Sequence, residues 1–432
     1  MKILQTLLCV LLAGSAVGKP STTIYAQELV NRTTANHPEI LVLAMHVTPP
    51  KGGDNVIIAS SIGRIGKKAD ADDLRVIETG VPNLAVNAAG DRFEAELVLK
   101  DANSRNIGAL GVVFPYKAGD DKAALQKRAE AIRDELARHI SHRANLLEPA
   151  QLDVSIPTRT YGQALVDKAL LRHPNVVILA LHAKPAHSSA NVIVASNIGR
   201  IGKKADEDDM HVITSGEDKL EFNETGDRYE VEQTLTDVSG DVIGAVGVVF
   251  PYTKGQDTAP LQAEAKAVRS ELSRRISNVE NLLQPYPFDS HYSADTYGQQ
   301  LIDESLAAHT DVLIMALHAA KPSSRDYVIA GSNIGRIGKK ADDDDMKVIT
   351  TSVPNLEVNA AGNRFEAEIP LLDSGKQSIG ALSVVFPYAV GNDKESLSQR
   401  AQKIRDELAP KIANAAALFS PPSPANRVSA IK

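Results

Sequence analysis

The chain has 432 residues, 43% apolar and 23% charged, with a formal net charge of −7. That composition excludes an intrinsically disordered chain. The acidic balance disfavours a nucleic-acid partner, which selects basic stripes. Tryptophan is absent, so the cores must rest on Val, Ile, Leu and Ala.

Lys2, the apolar run from Ile3 to Leu12 and the small residues Ala16-Val17-Gly18 before Lys19 have the layout of a secretory signal. The run is shorter than the ~20 apolar residues of a membrane span, and no later segment comes closer. The expectation is a signal peptide over residues 1–18 and a soluble secreted or periplasmic protein, with an uncleaved anchor as the alternative. Cys9, the only cysteine, lies inside that segment. The mature chain is then expected to hold no disulfide, no thiolate metal site and no cysteine nucleophile.

An amphipathic helix is expected over residues 23–36, stopped at Pro38 because the residue before a proline leaves the helical region. The apolar stretches 40–47 and 55–60 read as strands. Then comes Ile62-Gly-Arg-Ile-Gly-Lys-Lys-Ala-Asp-Ala-Asp-Asp73, a loop leading into a short helix. Asp70 is placed as its N-cap, and Gly80 as its end. Residues 84–87, 92–99 and 106–116 read as three further strands. The middle one alternates, with Phe93, Ala95, Leu97 and Leu99 on one face and Arg92, Glu94 and Glu96 on the other. A long helix is expected over 122–147.

The loop-and-cap phrase returns at Ile198 and Ile334, both times after 136 residues, with eleven of its twelve positions identical in all three copies. The chain is therefore three copies of one unit, at 19–148, 149–285 and 286–419, before a proline-rich tail at 420–432 expected to be disordered. Five strands joined by hairpins give an α+β fold, each sheet antiparallel and flanked by N-terminal and C-terminal helices. Units of this length favour independent beads over a continuous array.

The order of elements resembles the extracytoplasmic PAS-like sensor domains of the single Cache type. The resemblance rests on the long first helix, the Gly-Arg-x-Gly loop after strand two, and the closing phrases Asn106-Ile107-Gly108-Ala109, Asp241–Gly244 and Gln377–Gly380. It implies three tandem PAS-like domains, each binding a small ligand between the sheet and the segments after strand two. The chain lacks the family's aromatic ligand motif, and its sequence shows no kinase or methyl-accepting output region. A non-enzymatic small-molecule binding or sensory protein is expected, taking perhaps an anionic metabolite. The alternative is a structural or protein-interaction array in the envelope. A haem-binding protein or hydrolase using the repeated histidine comes third.

Arg64, Lys67 and Lys68, with Arg200, Lys203, Lys204, Arg336, Lys339 and Lys340, are candidates for an anion site. Pairing with the neighbouring aspartates is the plainer reading of these cations. Asp70, Asp72 and Asp73 do not follow the EF-hand order, and helix capping accounts for them better; no metal and no cofactor is expected. His46, His182 and His318 lie mid-strand in apolar surroundings, either as satisfied core histidines or as ligand contacts. Arg92, Arg228 and Arg364 would join the cationic cluster if the pocket lies on their face; otherwise that face, with Glu94 and Glu96, meets solvent. Tyr116, Tyr252 and Tyr388 are candidate ligand contacts at the end of strand five, with rim packing as the simpler role. The His-Pro pairs at 37 and 173 become His309-Thr310, and so read as helix stops. No catalytic triad or paired-carboxylate site recurs.

Overall fold

A computed structural model describes residues 19–322 and 324–422. The expected signal segment with Cys9, and the tail beyond residue 422, lie outside the described residues. The first repeat runs α1 (Tyr25–Asn36), β1 (Val42–Val47), β2 (Val56–Ser60), α2 (Ala71–Thr79), β3 (Asn83–Val86), β4 (Arg92–Lys100), β5 (Asn106–Pro115) and α3 (Lys122–Ala137). Its strands form one antiparallel sheet in the order β2-β1-β5-β4-β3, and the other two repeats follow the same order. The molecule is therefore α+β, with three five-stranded antiparallel sheets flanked by helices.

The alternation in β4 sets the two faces. Phe93, Ala95, Leu97 and Leu99 are fully buried against Leu29 and Val30 of α1 and Ile132 and Leu136 of α3. Each such side chain contributes about 1.5–3 kcal/mol by leaving water. Each repeat has a core of this kind to itself. The opposite face of the sheet is covered by α2, which buries Val76 against it.

The start of α2 follows the expected capping. Asp70 Oδ1 accepts from Asp72 N and Asp73 N, both at 3.2 Å, and Asp73 Oδ2 accepts from Asp70 N at 3.0 Å. This reciprocal box satisfies donors that a helix start leaves open, and it recurs with Asp206/Asp209 and Asp342/Asp345. Gly80 ends the helix in the left-handed region at φ 71°. The closing phrase before β5 also has a steric cause. A Cβ on Gly108 would lie 2.1 Å from the His46 carbonyl oxygen, so only glycine lets β5 approach β1 there.

Two expectations change. The last helix stops at Ala137 rather than reaching 147, and a 3₁₀ turn follows at Arg143–Leu147. The carbonyls of Arg138 and His139 are freed from the helix ladder and taken by Asn197 Nδ2 at 2.6 Å and the Tyr25 hydroxyl at 3.0 Å. Nor are the repeats separate beads. Their apolar cores are private, but their polar ends interlock, and Asn197 belongs to the next repeat.

Candidate functional site

The face of the sheet under α2 carries a set of ionisable groups that the apolar core does not use. β1 places His46 there, since its neighbours Met45 and Val47 point into the core. The first turn of α2 brings Asp73 over it, with His46 Nδ1 3.2 Å from Asp73 Oδ2 and both side chains nearly buried. From β4, Glu94 and Glu96 rise on the same face, and Asn83 Nδ2 on β3 donates to Glu96 Oε2 at 3.0 Å. Between Glu96 and β1 stands Gly111, whose lack of a side chain leaves the middle of that face open. The third repeat reproduces the ionisable groups, with His318 Nδ1 3.1 Å from Asp345 Oδ1 and Asn355 donating to Glu368 at 3.0 Å, but Ser383 stands in place of the glycine. In the second, His182 pairs with Asp209, but Lys219 replaces the asparagine and turns to Asp208 and Glu221. Glu232 Oε2 is left buried without a hydrogen bond.

Desolvation governs the protonation of this face. Burial, reinforced by neighbouring carboxylates, pushes Glu96, Glu230, Glu366 and Glu368 up to about 7 and Glu232 up to about 8. Burial also raises Asp73, and raises Asp345 to about 7. It lowers His46, and lowers His318 to about 4, with Lys67 and Lys339 adding to the effect. In these two repeats burial thus disfavours the charged form of both partners. Asp209 goes the other way: burial pushes its carboxyl up, but its bonds to His182 and the cap outweigh that.

Among the described residues, oxygens of Asp70, Asp73 and Glu96 lie within 4.8 Å of one another, as do those of Asp342, Asp345 and Glu368. Oxygen sets of this kind suit a hard divalent cation. The capping boxes already account for two of the three carboxylates in each.

The basic residues divide. Lys67 and Arg64 reach the field of the acidic face, where they partly offset the rise that burial and the neighbouring Asp73 and Asp70 impose on Glu94. Lys68 and Lys340 point away and pair with Asp54 and Asp326 at 2.7 and 2.9 Å. Lys203 lies 3.4 Å from Asp206, and Lys204 joins Val192 through a backbone bridge. Arg200 is committed to the preceding repeat, its guanidinium donating twice to Glu148 at 2.9 Å, and Arg336 donates to Gln284 at 3.2 Å. Arg228 bonds the Ser141 carbonyl, and Arg364 bonds Asp237 and Ser239. Arg92 is exposed. Tyr116 and Tyr388 stack at 6.3 Å against Phe93 and Phe365, and Tyr252 packs on Phe222 at 4.6 Å. These three tyrosines pack along the core face rather than beside the histidines.

The Gly-Arg-x-Gly loop of repeats two and three is therefore a socket for the preceding repeat. The Tyr25 ring covers Gly199 so closely that a Cβ there would lie 2.7 Å from it, and Tyr161 covers Gly335 in the same way. The Tyr161 hydroxyl donates to the Asn333 carbonyl at 2.7 Å, and the single Tyr25 hydroxyl proton is shared between the Asn197 carbonyl at 3.1 Å and the His139 carbonyl at 3.0 Å. Asn145 and Asn281 donate to the Ile198 and Ile334 carbonyls at 3.2 and 2.8 Å. A cleft of about 370 Å³ lies at the first junction, between Arg138, Val177 and Asn197, away from the histidine face.

The sequence reading missed the tyrosines, the asparagines and Ser141 of the junction. It also left Glu94 and Glu96 to solvent; Glu94 is indeed exposed, but Glu96 is half-buried and its equivalents Glu232 and Glu368 are buried. The reason is α2, which folds across that face. The alternation in β4 grouped the glutamates but could not show what lies above them.

No protein-family model and no curated protein matches the chain. Among solved structures it is similar to the A. Aeolicus nlh2 GAF domain at 18% identity and TM-score 0.22, over 29% of this chain and 84% of that one. A GAF sensor protein from Burkholderia vietnamiensis matches at 14% identity and TM-score 0.19, over 29% and 92%. The periplasmic domain of RsbU from Chlamydia trachomatis matches at 10% identity and TM-score 0.18, over 56% and 78%. The fold class rests on the three sheets themselves, whose form is consistent with tandem PAS-like domains. No helix of the described residues is long and apolar enough to cross a membrane.

Proposed function

We propose that this is an exported, non-enzymatic small-molecule-binding or sensory protein with one site per repeat, on the sheet face beneath α2. One observation carries the reading: a buried histidine–aspartate pair and two strand glutamates of raised proton affinity recur in all three repeats. Desolvated ionisable groups outside the apolar core cost stability, and such clusters mark functional sites. The position also agrees with the ligand site that the PAS-like resemblance implies. Carboxyl groups that are half-protonated near pH 7 suit a polar, donor-rich ligand such as an amine-bearing metabolite. Export is supported by the N-terminal charge and apolar run.

A thermal-shift screen of the purified protein against amines, amino acids and organic acids tests the proposal. At least one class should raise the melting temperature, and joint His46→Ala, His182→Ala and His318→Ala substitution should abolish the shift. A screen in which nothing stabilises the protein removes the reading. What then stands is the second one, a structural array, which the bonds of Arg200, Arg228 and Arg364 to preceding repeats favour.

A further inference from the structure

The socket occurs three times, and among the described residues two copies are filled. Ile198, Ile201, Ile334 and Ile337 are buried, whereas Ile62 and Ile65 are 47% and 59% exposed. At the far end Tyr297 keeps the placement of Tyr25 and Tyr161, its hydroxyl donating to the Lys411 carbonyl at 2.9 Å, and no further repeat covers it among the described residues. The same surface that joins the repeats is thus displayed at both ends, in complementary halves. Such a pair is heterologous and would join chains head to tail.

The two outward halves differ from the inner ones at the residues that bond across a junction. Asn197 and Asn333 each do two things. The side-chain oxygen accepts from Leu179 N or Met315 N within their own repeat, at 2.9 Å. The amide nitrogen donates to Arg138 or Arg274 of the preceding one, at 2.6 and 2.9 Å. The first repeat has Ser61 there, which keeps the inner bond, accepting from Leu43 N at 3.0 Å, and lacks the amide that reaches outward. On the other half, Asn145 and Asn281 become Ala417, and Glu148 and Gln284 become Ser420. All three changes remove a side chain that bonds across an inner junction, while Gly63, Arg64, Ile65 and Tyr297 are retained.

We propose that the Gly-Arg-x-Gly loop is a docking socket whose partner is the C-terminal end of an identical repeat. Ser61, Ala417 and Ser420 act as caps that keep one chain from docking onto the next. Terminal repeats of stacked arrays need altered outer faces for the same reason.

Sedimentation velocity of the full chain over a wide concentration range tests this. The wild type should run at single-chain mass. The restored variant Ser61→Asn, Ala417→Asn, Ser420→Glu should form an open series of oligomers, with self-association at least about a hundred-fold tighter for three regained hydrogen-bonding side chains. Adding Ile65→Asp should return it to single chains. A restored variant that is folded by circular dichroism yet stays as dispersed as the wild type overturns the proposal. So does association that survives Ile65→Asp, or a wild type that already forms the series and is dispersed by Ile65→Asp.

Discussion

The loop at 62–66 and its copy at 198–202 have one sequence, one backbone and two fates. Arg64 and Arg200 both occupy the left-handed region, at φ 65° and 61°. In each, the second glycine N–H bonds the strand before it, Gly66 to Ile57 and Gly202 to Ile193, both at 2.9 Å. Yet Ile65 is 59% exposed and Ile201 only 4%. The loop's shape is therefore written in its own residues, while its burial comes from what packs on it, the Tyr25 ring on Gly199 and the stretch 151–153 on Ile201 and Gly202. A feature that recurs in sequence need not recur in role.

The largest effect expected from separating these two fates is at the first glycine. Gly63 and Gly199 both have positive φ, 78° and 72°, so an alanine at either costs about 1 kcal/mol of backbone strain. At Gly63 nothing lies within 4 Å of the new Cβ, whereas at Gly199 the Tyr25 ring is 2.7 Å away. Gly199→Ala should then cost about 3 kcal/mol in denaturant unfolding, as overpacking adds to strain, against about 1 kcal/mol for Gly63→Ala. Equal losses would show that the ring does not press on the loop.

Next in size is the asparagine. Asn333→Ser gives the third repeat the residue of the first, keeping the bond to Met315 and losing donation to Arg274 and Leu313 at 2.9 and 2.8 Å. Stranding buried carbonyls costs about 1–3 kcal/mol. The loss should appear at the junction, as faster proteolysis between repeats two and three with little change in the melting of the first repeat. Unchanged proteolysis would mean that the junction is held by its apolar contacts alone.

What the sequence disclosed follows the range of the interactions. The 136-residue period, the five strands, the Asp70 cap and Gly80 all depend on residues close in the chain, and they were legible. The partners of Arg200 and Arg228 lie 52 and 87 residues away across a junction, and no periodicity records them. One trace was there to read. Ser61, Ala417 and Ser420 break the repeat only at its outer copies, as expected if those positions matter only where one repeat meets another. The pairing of His46 with Asp73 was hidden for a different reason. Both residues had adequate local accounts, one as a core histidine and the other as a cap, and only the path of α2 brings them together.

The acidic face sharpens the comparison through pH. Glu232 is buried and held at about 8, while the equivalent Glu96 is half-buried and held at about 7. A carboxyl raised in the folded state binds its proton more tightly there than in the unfolded chain. Its contribution therefore falls as pH rises from its ordinary value, near 4.5, to the raised one. Glu232→Gln should stabilise the protein by about 1–2 kcal/mol at pH 8 and by little at pH 4.5. Glu96→Gln should give less. Chemical denaturation at the two pH values measures both, and a gain for Glu232→Gln that does not grow with pH would mean that the carboxyl is ordinary.

The smallest effect is at the arginine, and it bears most directly on what the loop is for. Arg200 forms a two-pronged bond to Glu148, both contacts at 2.9 Å and both groups partly buried. Partial screening by water limits its worth to about 1 kcal/mol. Arg64 has the same conformation but is exposed, with no carboxylate bonded to it among the described residues. Arg200→Ala should therefore lose about 1 kcal/mol and Arg64→Ala no more than a few tenths, an exposed change of the ordinary kind. Equal losses would locate the arginine's role inside its own loop. If Arg64→Ala leaves stability alone but removes the shift produced by a ligand from the thermal screen, the basic loop serves two ends: binding in the first repeat, where it is free, and joining in the other two, where it is occupied.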